Sequence, residues 1–135
     1  MKITSDTNML VRMATRDDSG QASMAFAIVS KAETVAVPIP ALLEFVWVLK
    51  SVYLFSREEI AEALRSLIDL ETVVTDRHAI EIGLRVYSAG GDSADGVIAA
   101  SGVAMGGETF VSFDRKAVKR VSESGIAALD ARELA

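Results

Sequence analysis

The chain has 135 residues, half of them hydrophobic, with two prolines and no cysteine. That length and composition fit one ordered domain over residues 1–135. The lack of cysteine excludes a disulfide framework, thiolate zinc sites and cysteine nucleophiles together. A formal net charge of −5 argues against a protein that coats nucleic acid through a broad basic surface.

The charge is unevenly placed. Asp114-Arg115-Lys116-Ala117-Val118-Lys119-Arg120 sets four cations against one anion, and Lys2, Arg12 and Arg16 lie near the N-terminus. Acids gathered round a metal would leave the outside less negative than the total. The longest apolar stretch, Ala36 to Leu49, holds two prolines and Glu44, which argues against a membrane span. Asp6 interrupts the opening residues too early for a secretory leader. The expectation is a soluble, cytoplasmic protein with no membrane partner.

Taken in order, Lys2-Ile3-Thr4-Ser5 predicts a short strand ending at Asp6, and Asp6-Thr7-Asn8 leads into a short helix through Met9-Leu10-Val11. Asp17-Asp18-Ser19-Gly20 signals a loop and a helix start, with Ala22 to Ser30 as the helix. Thr34-Val35-Ala36-Val37 predicts a buried strand stopped by Pro38 and Pro40. Pro40 suits the first turn of the next helix, Ala41 to Lys50. That helix is apolar nearly all round and is expected to be largely buried, which makes Glu44 an anomaly. Ser56-Arg57-Glu58-Glu59 matches a capping box ahead of Ile60, Leu64, Leu67 and Ile68 at helical spacing.

Thr72-Val73-Val74 reads as a connection or a strand. Thr75-Asp76 opens a helix with Ile80, Leu84 and Tyr87 on one face, ended by Gly90-Gly91. Asp92 reads as the N-cap of a helix running to Ala104. Asp95 then falls at the third helical position, where the helix dipole favours an anion. Small residues at Gly96, Ala99 and Ala100 would let this helix lie close to a sheet. Gly106-Gly107 turn into a strand, Thr109 to Phe113, that delivers Asp114 at its C-terminal end. Arg115 to Ser122 is a helix stopped by Gly125, and Ile126 to Leu129 a last strand. The alternation predicts a three-layer α/β fold with a parallel central sheet flanked by helices.

In such a sheet, sites form at the carboxyl ends of the strands. Asp6 and Asp114 each follow a predicted strand, Asp95 lies at a helix start, and Glu44 lies one turn into a helix that follows a strand. All four positions are compatible with one edge of the sheet. Two carboxylates about 4 Å apart repel by about 4 kcal/mol at an effective dielectric near 20. Four would either protonate or hold a cation. Oxygen donors alone, with no cysteine and a single histidine, point to magnesium or manganese rather than zinc. Taken singly, an aspartate after a strand is more often a cap or turn residue, and Asp92 is adequately explained that way. Asp17, Asp18, Glu58, Glu59, Glu62, Asp69 and Glu71 read as loop, cap or solvated-face charges, and His78 as a surface histidine. Phe45, Trp47 and Phe113 read as core residues rather than base-stacking platforms.

Four blocks together resemble a known family. Lys2-Ile3-Thr4-Ser5-Asp6-Thr7-Asn8, Pro40-Ala41-Leu42-Leu43-Glu44-Phe45-Val46-Trp47-Val48-Leu49, Asp92-Ser93-Ala94-Asp95-Gly96-Val97-Ile98-Ala99-Ala100 and Thr109-Phe110-Val111-Ser112-Phe113-Asp114-Arg115 are similar, in order and spacing, to the motif blocks of PIN-domain ribonucleases. The likeness is greatest to VapC-type toxins of bacterial toxin–antitoxin pairs. It implies a Rossmann-like sheet and an acidic pocket of Asp6, Glu44, Asp95 and Asp114 binding one or two Mg2+ or Mn2+ ions. It also implies supporting roles for Asn8 and Ser112, with Asp92 either a supporting group or only the helix cap. Endonucleolytic cleavage of RNA, a homodimer, and a heteromeric complex with an inhibiting VapB-type antitoxin are implied by the same likeness. Ser5 and Ser93 depart from it, standing where the family more often has apolar residues.

Two other classes compete. A non-catalytic PIN-like module that binds RNA or a protein usually lacks one or more of the acids, and all four are present. A phosphotransfer receiver wants paired aspartates after its first strand and a lysine after a later one. Asp6-Thr7-Asn8 and Ser112-Phe113-Asp114 fit that poorly.

Overall fold

Local sequence signals set most of the element ends seen in the computed structural model, which describes residues 1–134. The chain divides into two units, Met1–Asp76 and Arg77–Ala135.

The first unit runs β1 (Lys2–Thr4), α1 (Thr7–Thr15), α2 (Ser19–Lys31), β2 (Thr34–Ala36), α3 (Ile39–Ser51), α4 (Arg57–Ile68) and β3 (Val73–Val74). Its strands form one parallel sheet in the order β1-β2-β3, with Ile3 opposite Val35 and Val35 opposite Val73. Parallel neighbours require a crossover, and helices supply it between each pair. The ladder runs on past the strand ends: the Ser5 amide donates to the Ala36 carbonyl and the Val37 amide to the Val74 carbonyl, each at 2.9 Å. Thr75 Oγ1 donates to the Val37 carbonyl at 2.7 Å and so ties the segment after β3 to β2. The helices close over Leu10, Leu42, Phe45, Leu49, Ile60, Leu64 and Ile68, all almost fully buried.

Capping follows the sequence. The Ser56 hydroxyl accepts from the Glu59 amide (3.1 Å) and the Glu59 carboxylate from the Ser56 amide (2.8 Å), completing the expected box at the start of α4. Asp17 does more than the loop role expected of it. It accepts from the Tyr53 hydroxyl (2.8 Å), Thr15 Oγ1 (2.9 Å) and Arg12 Nη1 (3.1 Å), which ties the end of α1 to the segment after α3. The Tyr53 hydrogen bond, then that of Thr15, holds the Asp17 carboxyl below its usual range.

Helix α3 corrects one expectation. Leu42, Phe45, Val46 and Leu49 are buried, but Glu44 is exposed and Trp47 is 61% exposed. Among the described residues α3 packs chiefly against α1 and α4, through the side that carries its buried residues. An apolar composition makes burial favourable on any side, and packing uses one. Glu44 therefore needs no buried partner, and Trp47 is not a core residue.

The second unit runs α5 (Arg77–Ser88), α6 (Ser93–Ala104), β4 (Phe110–Ser112), α7 (Arg115–Glu123), β5 (Ala128–Asp130) and a 3₁₀ turn at Ala131–Leu134. Strands β4 and β5 pair in parallel with Val111 opposite Leu129. Among the described residues the hydrogen-bonded strands thus form one parallel ladder in each unit. The expected apolar face of α5 is present, with Ile80, Leu84 and Tyr87 all buried.

Helices α5 and α6 meet at glycine. A Cβ on Gly96 would lie 2.8 Å from Gly83 Cα and 2.8 Å from the Ile82 carbonyl oxygen; one on Gly83 would lie 3.0 Å from the Ser93 carbonyl oxygen. The small residues after Asp95 accordingly serve a helix–helix contact, whereas the sequence pointed to a sheet. Both helices end alike. Gly91 donates to the Val86 carbonyl and Gly90 to that of Tyr87, while Gly107 donates to Gly102 and Gly106 to Val103. Gly90 and Gly106 take φ of 103° and 98°, as this C-terminal motif demands. Among the described residues, no helix is long and apolar enough to cross a membrane.

Candidate active site

The four acids expected to hold a metal fall two in each unit. In the first, Asp6 follows β1 and caps α1, with one carboxylate oxygen accepting from the Met9 amide at 3.1 Å. Ser5 beside it is 1% exposed and donates its hydroxyl to the Asp6 carbonyl at 3.0 Å, so a serine is accommodated at this buried position. Asn8 lies exposed in the first turn of α1, and Glu44 exposed on α3.

In the second unit, Asp92 caps α6 as the sequence predicts, its Oδ1 accepting from the Ala94 amide at 3.0 Å. Ser93 follows, buried at 3% exposure. Asp95 sits at the third helical position, only partly exposed. Asp114 lies two residues past β4 and caps α7, its Oδ1 accepting from the amides of Lys116 (2.9 Å) and Ala117 (3.2 Å). The Asp114 amide in turn donates to Ser112 Oγ at 3.0 Å. The hydroxyl two residues before this acid therefore fixes the turn that carries it.

Electrostatics distinguish these acids. Burial pushes the Asp95 carboxyl above the usual aspartate value, and the charges of Asp92 and then Asp114 push it further the same way. An acid so placed is stabilised by a proton or by a cation. Among the described residues, no group of three or more aspartate, glutamate or histidine side chains is gathered as the ligand set of an ion. Magnesium is ordinarily held by one or two carboxylates, with water and substrate phosphate completing its shell. The donor chemistry of Asp95 and Asp114 suits that kind of ion.

A model of the PIN domain matches residues 3–123, nearly the whole chain. The chain belongs to the PIN-domain family. Its mixed α/β, Rossmann-like fold with parallel strands is the one the sequence leads to. No curated protein matches the chain. Among solved structures it is similar to the crystal structure of VapBC2 from Rickettsia felis bound to a DNA fragment from their promoter, at 18% identity and a TM-score of 0.40, over 96% of this chain and 98% of that one.

This PIN domain also carries a feature at its last acid that corrects the sequence reading. Phe113, expected in the core, is 70% exposed. The Arg132 guanidinium lies over its ring, 5.5 Å from the centroid, and donates to the Phe113 carbonyl at 3.3 Å. Asp130 holds that guanidinium with both carboxylate oxygens at 2.9 Å and also takes Arg115 Nε at 3.4 Å. Alternation along β4 carries the signal: if Phe110 and Ser112 share one side, Val111 and Phe113 share the other.

Proposed function

We propose that this PIN domain is a metal-dependent endoribonuclease of the VapC toxin type. Asp6, Glu44, Asp95 and Asp114 would hold one or two Mg2+ or Mn2+ ions. The observation that carries the reading is Asp95, a partly buried carboxylate whose charge is disfavoured by burial, Asp92 and Asp114. Membership of the PIN family across the four motif blocks supports it. Such an ion, when bound, lowers the pKa of a coordinated water and neutralises charge on phosphate oxygens.

The chain's own residues do the positioning. Both helix-end bonds to Asp114 fall on Oδ1, which leaves Oδ2 for a ligand, and Ser112 locks the backbone beneath it. Asp92 likewise caps its helix with one oxygen, and its charge acts on the Asp95 carboxyl. Water is the nucleophile. The chain has no cysteine, and its one histidine, His78, is exposed in the first turn of α5.

The biological setting follows from the same reading: a cytoplasmic toxin acting on RNA, homodimeric, and silenced in a heteromeric complex by a VapB-type antitoxin. The test is RNA cleavage by the purified protein, with ends mapped, in Mg2+ or Mn2+ and then in excess chelator. Discrete internal cuts that stop in chelator and return with the ion are expected. Undiminished cutting in chelator would overturn the metal mechanism. No cutting, with no ion binding by calorimetry at millimolar concentration, would instead leave a non-catalytic PIN module.

A further inference from the structure

We propose that Phe113, backed by Arg132, is a stacking platform that seats one unpaired base of single-stranded RNA beside Asp114. The inference rests on the RNA-cleaving reading above and adds how the substrate strand is held. An exposed phenylalanine alone is unremarkable, since single apolar side chains are common on surfaces. Three observations set this one apart. The ring directly precedes one of the proposed metal-holding acids and is 70% exposed. The guanidinium over it is fixed rather than free, clamped by both oxygens of Asp130 and bonded to the Phe113 carbonyl. Arg115 and Lys116, which follow Asp114 directly, are also exposed, with the Arg115 side chain at 79% and drawn to the same Asp130.

Those parts are what a single-strand contact uses. Bases stack on aromatic rings and on guanidinium planes, and the cations beside them track the phosphates. A guanidinium on one side of the Phe113 ring leaves the other side for a base, and it orders the ring before the strand arrives. Asp130 is well placed to keep the arrangement charged and rigid: backbone and side-chain bonds from Arg132 hold its carboxyl below the usual range. A protein partner would more often cover such a ring within a larger apolar patch. Here the ring is stacked by a cation and followed in sequence by Asp114, Arg115 and Lys116, although Val111 on its side of β4 is also 44% exposed.

The experiment compares Phe113→Ala, Phe113→Leu and Phe113→Trp with the parent. Each is assayed for anisotropy of a short single-stranded oligoribonucleotide and for single-turnover cleavage. A scan of the oligonucleotide places one abasic nucleotide at each position in turn. Phe113→Ala and Phe113→Leu should weaken binding about tenfold, the scale of one base stack, while Phe113→Trp keeps it. One abasic position should weaken the parent by a similar factor and leave Phe113→Ala no weaker still. Equal binding by the parent and the folded Phe113→Leu variant would overturn the platform while leaving the nuclease reading intact. Losses that add fully between the variant and every abasic position would overturn it as well. If Phe113→Leu changes the sedimentation of the protein instead of its RNA binding, the ring is a protein contact and the proposal fails. A parent that neither binds nor cuts RNA would overturn both readings together.

Discussion

Asp92 and Asp95 lie three residues apart at one helix start, and their surroundings give them different chemistry. Asp92 is exposed and has an amide to accept from, whereas Asp95 is partly buried and faces two other acids. The folded chain therefore binds a proton at Asp95 more tightly than the unfolded chain does. Stability falls as pH rises from the ordinary aspartate value of 3.8 through the raised value, and the full penalty is present above it. Asp95→Asn removes that penalty. Its Tm should exceed the parent's at neutral pH in the absence of divalent ions, and the difference should close on acidification towards pH 3.8; a constant difference across pH would contradict this. Ser112 is the second residue with a specific expectation. Losing the oxygen that accepts from the Asp114 amide should lower cleavage about 10–100-fold in Ser112→Ala, the cost of removing a group that orients a metal ligand. Ser112→Thr restores the hydroxyl and should recover most of the activity. An inactive Ser112→Thr in a folded protein would point to packing instead.

At the level of elements, α6 presents Asp95 from a helix pressed against α5 at Gly83 and Gly96. A methyl on Gly96 would meet Gly83 Cα and the Ile82 carbonyl oxygen at 2.8 Å and Val86 Cγ2 at 2.9 Å, and the two backbone atoms cannot move aside as the end of a flexible side chain can. Gly96→Ala should cost about 1–3 kcal/mol by urea unfolding, the usual penalty for overpacking. A neutral result would show that the two helices separate easily. This contact was not legible beforehand. Glycine and alanine after Asp95 announce close approach, but nothing in the residues names the approaching surface. Capping and helix ends were legible, because Ser56, Asp92 and the Gly90-Gly91 pair act on amides and carbonyls within a few residues. Helix α3 marks the boundary of that reading. Its composition allows burial all round, and only tertiary packing decides that Glu44 and Trp47 stay outside.

Across the whole molecule, the order of the acid-bearing blocks carried the fold and family further than any single block. Strand–helix alternation gave the α/β class, and the family match over residues 3–123 bears it out. Phe113 was misread because hydrophobicity alone does not say which side of a short strand is covered. Its neighbours Arg132 and Asp130 lie far enough along the chain that their meeting depends on the fold. An ion that binds only the folded chain should raise stability by about 2.7 kcal/mol at a hundred times its Kd, and Asp95→Asn should abolish most of that gain. The central claim is that Asp95 belongs to the set of acids through which RNA is cut. Single-turnover cleavage of RNA by Asp95→Asn in saturating Mg2+ tests it most directly. The rate should fall by more than the roughly 100-fold typical of a merely supporting residue, with the protein still folded; a rate equal to the parent's would contradict the account.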